Sequence, residues 1–496
     1  MRAAWWLAPL CTVAIGAVGG ACSSKSSGGP ATPADDSGIT EQPFTFQPKG
    51  CAYSVYVPLA FAFTDFAPDD TSAVDAVSAV PARVRLGLGG GTTMGQAGYA
   101  DPSTTAAFTW ETKGPTHAAK VKLGADPGTL MDVHAGYSWT TPAPKAALGA
   151  DEPETYMHEV HVCGLAPGKT YYYQVGGGPA GSEVWSMTQS FTTIPTTGKV
   201  MVGLLGDARD QVATWQLVGS RMRDAGVNIE LVSGDLVDVG TIASLYAKWL
   251  DAIWKDPADA SKFLTLGQIM MVPVAGNHEN EAARFFGNFA IPGDGPYAKK
   301  FSSFTVGNAH FVMLDDEQIA VNDTPTDEVK AQLAWLDADL AKANADRATH
   351  PFIVAISHRA LVSSSRHAAD SDVLLTRGAL MPIFDKYAVD LVVNGHDHEY
   401  ERSNPVKAGT PANGPVAVQA SGGTVYMIAA GAGADPYEVG TGAVDYRAKT
   451  TKYGSGTAYI GCYAIATLEA KTLTVTAYGL KTAGPDDVID TFVLSH

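Results

Sequence analysis

The first half of the chain alternates apolar and polar residues over short segments, from about Cys51 to Pro195. Glycine and proline separate these segments, which read ARVRLGLGG, AAFTWETKG, HAAKVKLG, YMHEVHVCGL, KTYYYQVGGG and MTQSFTTIP. A period of two is the pattern of strands that bury one face. Many short strands at this spacing predict an antiparallel β-sandwich over 51–195.

The pattern changes after TTIPTTG, where continuous apolar runs alternate with helical periodicity. The runs KVMVGLLGD, NIELVSGD, IMMVPVAGNHE, PFIVAISH and VDLVVNGHDH are typical of buried strands. One intervening helix, TDEVKAQLAWLDADLAKA, carries a single apolar stripe made of Val329, Leu333, Leu336 and Leu340. Strands that alternate with amphipathic helices predict an α/β layered domain over 198–496, in which ligands gather beyond the carboxyl ends of the strands. The predicted fold class is therefore a multidomain α+β chain, with a β-sandwich followed by an α/β layered domain.

The first residues have the composition of an export signal. Arg2 precedes an apolar run that ends in small residues before Cys22, which predicts a secretory signal peptide over 1–21. The segment resembles a bacterial lipoprotein signal, in which the cysteine becomes the lipidated first residue, although Gly19 stands where leucine is usual. The apolar run is short for a membrane span, and a Ser/Gly/Pro/Asp-rich flexible linker over 22–50 follows it. We expect an exported protein, periplasmic or at the cell surface, with a lipid anchor at Cys22.

Charge and cysteine usage narrow the classes of partner. The chain of 496 residues has a net charge of −17 and a pI near 5.1, which argues against a nucleic-acid binder because that affinity comes from clustered Lys and Arg. Outside the leader and Cys22, the cysteines are Cys51, Cys163 and Cys462. In an oxidising compartment Cys51 and Cys163 are the favoured pair, because both fall in the amino-terminal half. The cysteine spacing has no metal-ligand pattern, so a metal site must use oxygen and nitrogen ligands.

Five apolar strands of the second half end in potential metal ligands. These are Asp207 in GDARD, Asp235 in GDLVD, Asn277 in GNHE, His358 in AISH, and His396 with His398 in GHDH. A carboxylate can bridge two cations about 3.5 to 4 Å apart, while imidazole and amide groups complete each shell. The two histidines of GHDH point to the same side in extended chain, whereas Asp397 should point away. The pattern predicts a two-metal centre.

The ordered set GD, GD, GNHE, a lone histidine and GHxH resembles the calcineurin-like metallophosphoesterases. GHDHEYERS is similar to the purple acid phosphatase branch, and a fibronectin type III-like module with a LAPGKTYYY tyrosine corner fits that branch as well. The resemblance covers nearly all of the mature chain. It implies that Asp235 bridges two metal ions, with iron, zinc or manganese as the expected metals. The other ligands would divide into Asn277, His358 and His396 on one ion, and Asp207 and His398 on the other.

The resemblance also implies two residues outside the metal shells. His278 would donate to the phosphoryl oxygens or to the leaving group. His367, nine residues after His358, matches a substrate-site histidine of the branch, although an ordinary exposed loop histidine fits the sequence equally well.

Two positions depart from the purple acid phosphatase pattern. Asp238 replaces the tyrosine of GDxxY, whose phenolate ligates ferric iron, so the purple colour should be absent. Asp238 has two open roles: it orients a protonated His278, which we favour, or it ligates the metal in place of tyrosine. Arg209 replaces the final glycine of GDxG. Its guanidinium either clamps phosphate or pairs with Asp210 or another acid.

The predicted reaction is hydrolysis of a small-molecule phosphoester outside the cytoplasm, with monoesters favoured. Bound cations would let an acidic protein hold an anionic substrate. Two alternatives stay open, which are a phosphodiesterase of the same superfamily and a catalytically inactive surface or adhesion protein. Monoesterases and diesterases differ in the loops around the pocket, here expected at 280–300, 363–372 and 408–423. The sequence leaves the oligomeric state open.

Overall fold

The computed structural model describes residues 44–57, 79–114, 119–141, 155–177, 183–257, 259–279, 281–439 and 443–496. The predicted signal peptide, Cys22 and most of the predicted linker lie outside the described residues. Residues 41–496 form one compact unit. In the described part of the chain, no helix is both long enough and apolar enough to cross a membrane.

The end of the predicted flexible linker is a strand. β1 (Phe44–Phe46) pairs antiparallel with β2 (Val55–Val57), and the Phe46 ring lies 5.5 Å from the Tyr137 ring, between centroids. The prediction of a linker over 22–50 is therefore wrong for its last residues. An aromatic residue such as Phe46 favours a strand that packs on other aromatic side chains.

The rest of the amino-terminal part consists of short strands. They are β3 (Ala82–Gly87), β4 (Thr105–Thr112), β5 (Lys120–Gly124), β6 (Asp132–Ala135), β7 (Tyr137–Thr141), β8 (Thr155–Cys163), β9 (Thr170–Gly177), β10 (Val184–Trp185) and β11 (Gln189–Thr192). One sheet has the order β3-β4-β8-β7 and the other has β10-β9-β5-β6, with β11 also paired to β9. All these pairings are antiparallel.

The two sheets pack face to face, which confirms the predicted sandwich. Phe108 on β4 and Tyr173 on β9 lie 4.7 Å apart between ring centroids, and Trp110 is completely buried. The Tyr171 hydroxyl accepts a hydrogen bond from the Ala166 backbone N–H at 2.9 Å, which is the contact that a tyrosine corner makes.

The remainder of the chain alternates strands and helices. The strands are β12 (Val200–Leu205), β13 (Ile229–Val232), β14 (Lys255–Asp256), β15 (Asp259–Phe263), β16 (Met270–Pro273), β17 (Ser302–Val306), β18 (Ala309–Met313), β19 (Phe352–Ile356), β20 (Leu391–Asn394), β21 (Tyr400–Ser403), β22 (Val406–Lys407), β23 (Ala417–Val418), β24 (Val425–Ala429), β25 (Arg447–Thr451), β26 (Gly461–Glu469), β27 (Thr472–Leu480) and β28 (Asp487–Ser495). The helices are α1 (Val212–Ala225), α2 (Ala243–Trp254), α3 (Ala283–Asn288), α4 (Glu317–Ala320), α5 (Asp327–Ala345) and α6 (Ser371–Lys386).

Two mixed sheets form the centre of this part. A six-stranded sheet has the order β16-β13-β12-β26-β27-β28, and a seven-stranded sheet has the order β17-β18-β19-β20-β24-β21-β25. Strands β12, β13 and β16 run parallel to one another, as do β18, β19, β20 and β24. The remaining pairs, β14-β15 and β22-β23, are short hairpins outside the two sheets.

Alternate side chains of the two sheets face different layers. Val202 and Leu204 on β12 share an inner core with Val354 and Ile356 on β19, while the intervening residues face helices. On the outer side of the six-stranded sheet, Trp215 of α1 and its neighbours pack in a second core. Helices α5 and α6 pack on the outer side of the seven-stranded sheet. This order of helix, sheet, sheet and helix confirms the predicted α/β layered fold.

Local signals set the ends of the helices. Helix α5 begins after Thr326, whose hydroxyl accepts the Val329 backbone N–H at 3.2 Å. The apolar stripe predicted for α5 faces the sheet, with Leu336 and Leu340 fully buried and Leu333 at the margin. Helix α1 ends at Gly226, which takes a φ of 71° that glycine adopts without strain.

The predicted disulfide is present. Cys51 and Cys163 are bonded across a sequence separation of 112 residues, and the bond ties the segment between β1 and β2 to the end of β8. Cys462 is a buried free thiol on β26.

Candidate metal centre

The candidate metal ligands follow the carboxyl ends of parallel strands. Asp207 follows β12, Asp235 follows β13 and Asn277 follows β16 in the six-stranded sheet. His358 follows β19 and His396 follows β20 in the seven-stranded sheet. Parallel strands in each sheet end at one edge, and the packing of the two sheets brings the two edges together. The structure therefore gathers side chains that lie far apart in the sequence.

One group of ligands centres on Asn277. His358 Nε2 lies 2.9 Å from Asn277 Oδ1 and 3.4 Å from Asp235 Oδ1. His396 Nδ1 lies 3.0 Å from the same Asn277 oxygen. These are the residues that the sequence assigns to one ion and to the bridging position.

A second group consists of Asp207 and His398, with His398 Nε2 3.4 Å from Asp207 Oδ1. The His396 backbone N–H donates to Asp207 Oδ1 at 3.1 Å, so the two groups of ligands are in direct contact. Oxygen and nitrogen atoms of Asp207, Asp235 and His358 all lie within 4.8 Å of one another. The geometry thus places Asp235 beside both groups, where its carboxylate can reach two ions.

Several nitrogen and oxygen atoms of the cluster face one another as acceptors, an arrangement that suits metal ions. His358 Nδ1 donates to the Ser233 carbonyl at 2.8 Å, so in the neutral ring Nε2 carries a lone pair. That lone pair points at the Asn277 oxygen, which is also an acceptor. His398 repeats the arrangement, because its Nδ1 contacts the Asp435 carbonyl at 2.5 Å and its Nε2 points at Asp207. Facing lone pairs are stabilised by cations between them.

His396 and Asp235 are held in the protonation states that bind metal, whereas for His398 the contact with Asp207 overcomes burial and raises the pKa. Burial, together with neighbouring cationic groups, holds the pKa of His396 well below its ordinary value. Burial would raise the pKa of Asp235, but His358, His278 and Arg209 hold it below its ordinary value. A neutral imidazole and an ionised carboxylate are the forms that bind metals.

Glycine before two of the ligands allows this close packing. A Cβ added to Gly395 would lie 2.5 Å from Asp207 Oδ2, and one added to Gly276 would lie 2.3 Å from Asp235 Oδ1. The glycines of GHDH and GNHE are therefore required by the approach of a carboxylate from another strand.

His278 lies at the rim of the cluster. Its Nδ1 contacts the Asp238 backbone carbonyl at 2.7 Å and lies 3.3 Å from the Asp238 carboxylate. Its Nε2 lies 3.8 Å from Asp235 Oδ2. The ring therefore has one nitrogen fixed by Asp238 and the other directed toward the candidate metal position.

His367 lies against the ligand His396, in the segment 363–367. Its ring lies 4.3 Å from the His396 ring and 5.2 Å from the Tyr437 ring, between centroids. Its Nδ1 contacts Asp397 Oδ1 at 2.8 Å. Tyr437 in turn stacks on the ring of the ligand His398, with centroids 3.9 Å apart.

Two family models match the chain in the same order as the two parts of the fold. Residues 95–193 match the amino-terminal domain of purple acid phosphatases, and residues 203–400 match the calcineurin-like phosphoesterases. The second range contains all six candidate ligands. The chain belongs to the purple acid phosphatase-like branch of the calcineurin-like phosphoesterases.

The chain matches its relatives over part of its length. An uncharacterized protein of Mycobacterium tuberculosis is 30% identical over 227 residues, 41% of each chain. Acid phosphatase type 7 of Homo sapiens is 25% identical over 317 residues, which are 60% of this chain and 67% of that protein. The chain thus spans less than half the length of the mycobacterial relative.

A solved structure shares the fold. Purple acid phosphatase PPD1 from yellow lupin (Lupinus luteus) seeds superposes with a TM-score of 0.66 over 84% of this chain and 74% of that chain, at 19% identity. The likeness extends over both the sandwich and the layered part.

Arg209 and Asp238, the two departures from the branch pattern, form an ion pair with each other. Arg209 Nη1 lies 2.8 Å from Asp238 Oδ1 and 3.2 Å from Asp210 Oδ2. Its Nε lies 3.6 Å from Asp235 Oδ2. The Asp238 carboxylate therefore lies beside His278 and Arg209 at the exposed rim, while the hydrogen bond of His278 Nδ1 is to the Asp238 backbone carbonyl.

Three residues at the site were not singled out by the sequence. Glu279 is completely buried and accepts the backbone N–H groups of Asp235 and Gly276 at 2.9 and 2.8 Å. Burial, together with the Asp235 charge, raises its pKa to about 8. Arg359 donates to Asn277 Oδ1 at 3.1 Å, and Tyr437 covers His398. Glu279 and Arg359 directly follow motif residues, whereas Tyr437 follows β24, which ends in no ligand motif.

Two of the three expected pocket loops, 363–372 and 408–423, differ in their positions. The segment 363–372 carries His367 to the cluster. The segment 408–423 packs on α6 instead, where the Gly414 carbonyl accepts from Arg377 at 3.4 Å and the Ala408 N–H donates to Asp385. Tyr437 supplies the wall next to His398.

Proposed function

We propose that this phosphoesterase hydrolyses small-molecule phosphate esters, monoesters in preference to diesters, at a pair of metal ions. The observation that carries the proposal is the convergence of two carboxylates, an amide and three imidazoles in one cluster. The protein satisfies only part of this set, through Arg359 at Asn277 Oδ1 and through the contact of His398 with Asp207, while His396 Nε2 is buried without a hydrogen-bond partner among the described residues. The set matches two cations that share a carboxylate.

The proposed ligand sets follow the two groups in the structure. Asp235 serves both ions, Asn277 with two histidines serves one, and Asp207 with His398 serves the other. Oxygen and nitrogen donors of this kind suit iron, zinc or manganese. When bound, the ions lower the pKa of coordinated water toward neutrality and so supply hydroxide for attack on phosphorus.

The proposed role of His278 is to donate a proton or a hydrogen bond to the phosphoryl group. Asp238 fixes His278 Nδ1 through its carbonyl at 2.7 Å, which leaves Nε2 for the substrate side. His367, beside the His396 ring, would contact the phosphoryl or leaving oxygen. Arg209 adds a positive charge at the rim, where charge grows on the equatorial oxygens in the transition state.

Export is proposed from a separate observation. The bond between Cys51 and Cys163 belongs to a class that persists in oxidising compartments. Together with the predicted leader, it supports a periplasmic or cell-surface protein with a lipid at Cys22. Mass spectrometry of protein from a lipoprotein-processing bacterial host should find a mature chain that starts at acylated Cys22, and an unmodified amino terminus would contradict the anchor.

The hydrolase proposal is tested with para-nitrophenyl phosphate, its bis ester and metal analysis of the same preparation. We expect about two metal ions per chain and a higher kcat/KM for the monoester than for the diester. His396→Ala should lower kcat/KM by more than the roughly 100-fold that is typical of changing a residue that only supports a metal ligand. The matched control is His350→Ala, because His350 pairs with Asp346 after α5, away from the cluster.

Each outcome has a defined meaning. A folded protein with two bound ions that hydrolyses neither ester would contradict the hydrolase and favour an inactive surface protein. A higher kcat/KM for the bis ester would show that the protein is a phosphodiesterase and would contradict the preference for monoesters. Equal losses of kcat/KM in the His396 and His350 variants would contradict the assignment of the active site to this cluster.

A further inference from the structure

The stretch HDHEYE sends its side chains to two sides. His396 and His398 face the candidate metals, whereas Asp397, Glu399 and Glu401 are completely or almost completely buried on the other side. His396 has a φ of 71° and residues 396–399 form bends before β21, so the turns of the backbone direct the acids away from the histidines. The three acids therefore need partners away from the metals, because an unpaired buried carboxylate is strongly unfavourable.

The partners of Asp397 come from one surface segment, 363–367. Asp397 Oδ1 accepts from the His367 backbone N–H at 3.2 Å and contacts His367 Nδ1 at 2.8 Å. Its Oδ2 accepts from the Ser363 hydroxyl. Both oxygens of one carboxylate are thus used to hold the two ends of the segment that carries His367.

Glu401 holds the middle of the same segment. It accepts from the Ser364 backbone N–H at 3.0 Å and from the Ser364 hydroxyl at 2.5 Å. The segment is therefore fixed by two acids, Asp397 between the two candidate ligands and Glu401 on β21, the strand that follows them. The acids that hold the segment 363–367 are within three residues of His398 in the sequence. The position of the segment is therefore tied to that of the candidate ligands.

The contact with Asp397 determines how the His367 ring is oriented. Because a carboxylate accepts only, the Nδ1 atom carries the hydrogen and donates it to Asp397. Among the described residues no hydrogen bond reaches His367 Nε2, and the side chain keeps 15% exposure. Nε2 is left for a ligand beside the His396 ring.

We propose that Asp397, the residue between the two metal-ligating histidines, is the positioning residue for His367. It fixes the ring orientation and tautomer, with Nε2 presented to the substrate, and it couples the substrate contact to the metal-ligand strand. The inference rests on the proposed phosphoesterase function and goes beyond it, because it assigns a role to a side chain that binds neither metal nor substrate.

The test is a double-mutant cycle of Asp397→Ala and His367→Ala, measured as kcat/KM for para-nitrophenyl phosphate. Asp397→Ala should lose about 10- to 100-fold in the wild-type background, as is typical of partners that orient a site residue. In the His367→Ala background the same change should alter kcat/KM by less than about 2-fold, because the residue it orients is gone. Independent losses in the two backgrounds would overturn the proposal.

Two further variants separate positioning from folding. Asp397→Asn keeps an acceptor for His367 and gains a donor for Ser363, so it should recover most of the loss, and failure to recover it would contradict positioning. Asp339→Ala is the matched control, because Asp339 is also buried and also binds a histidine and a serine, His310 and Ser303, at 2.7 and 2.8 Å. It should lower thermal stability but leave kcat/KM of the folded protein unchanged, and a loss equal to that of Asp397→Ala would overturn the assignment.

Readouts besides activity complete the test. Asp397→Ala should retain its metal ions, since loss of metal would show that Asp397 serves the ligand strand instead. Long-range proton–nitrogen spectra of histidine-labelled zinc protein should show His367 protonated at Nδ1 in the wild type and changed in Asp397→Ala. An inactive wild type would refute the proposed function, whereas an active wild type with an additive cycle would refute only this inference.

Discussion

Three residues of the candidate site have positive φ angles, which residues other than glycine rarely adopt. Asp207, Asp235 and His396 have φ values of 54°, 53° and 71°, and such conformations cost about 1–3 kcal/mol each. Asp and His tolerate this region better than most residues. Contacts such as that of Glu279 with the Asp235 N–H, at 2.9 Å, stabilise it. Each strand therefore turns sharply at its ligand, which aims the side chain before any ion arrives.

Glu230 provides a prediction about stability and pH. It lies on β13 with 0% exposure, and neither carboxyl oxygen has a hydrogen-bond partner among the described residues. Burial raises its pKa from 4.5 to about 8. The folded protein thus keeps a proton that the unfolded chain releases above pH 4.5, so this group lowers stability progressively as pH rises from about 4.5 to about 8.

Replacement of Glu230 by Gln should remove that dependence. At pH 7 we expect the variant to be more stable by about 3 kcal/mol, whereas at pH 4 the two proteins should be equally stable. Thermal melts of both proteins across this range measure the difference. A constant offset at every pH would contradict the assignment of the shift to Glu230.

The ligand set was accessible to sequence reasoning because each ligand directly follows an apolar strand. Tyr437 was not, because it reaches His398 from the loop after β24, and nothing in GADPYEVG marks one tyrosine as adjacent to a ligand. Asp397 was expected to point away from the metals, and it does. Its contact with His367 depends on the path of the segment 363–367, which hydrophobic periodicity does not encode.

At the scale of elements, the amino-terminal hairpin depends on a covalent tie. β1 and β2 are three residues each and pair only with one another. A two-stranded hairpin of this size is marginal by itself. The disulfide between Cys51 and Cys163 fastens it to β8, the longest strand of the sandwich. The FTF segment can therefore be ordered although a low-complexity sequence precedes it.

Loss of this disulfide should destabilise the folded chain. The double variant Cys51→Ala/Cys163→Ala should lose about 2–5 kcal/mol of unfolding free energy, because the bond closes a long loop in the unfolded chain. Denaturant titration with and without dithiothreitol measures this. The reductant should lower wild-type stability to that of the variant and leave the variant unchanged, and a reductant effect on the variant would point to another source.

At the scale of the whole molecule, a buried ion pair joins the sandwich to the layered part. Lys299 Nζ donates to Glu159 Oε2 at 3.0 Å and to the carbonyls of Phe286 and Phe289 at 3.2 and 3.1 Å. Burial would raise the pKa of Glu159, but Lys299 and His161 hold it at about 2. Separation of the two parts would leave the Lys299 and Glu159 charges buried without partners. The sandwich and the layered part therefore stabilise each other.

Removal of one partner of the Lys299–Glu159 pair should destabilise the folded protein. Lys299→Met should lower the free energy of unfolding by about 3–5 kcal/mol, because it leaves the Glu159 carboxylate buried without its main counter-charge. The double variant Lys299→Met/Glu159→Gln should recover part of the loss, since no unpaired charge remains. Urea titrations of the three proteins measure this, and a double variant less stable than the single one would contradict the explanation.

The last residue is held against the edge of the seven-stranded sheet that lies opposite the ligands. His496 Nε2 contacts Asp390 Oδ1 at 2.8 Å, and its ring lies 5.1 Å from that of Phe352. Asp390 and Phe352 stand where β20 and β19 begin, whereas the ligands stand where those strands end. A tag or a solid support attached after His496 would therefore leave the opening of the site turned toward the solution. Such a handle suits immobilisation of the protein without obstruction of substrate entry.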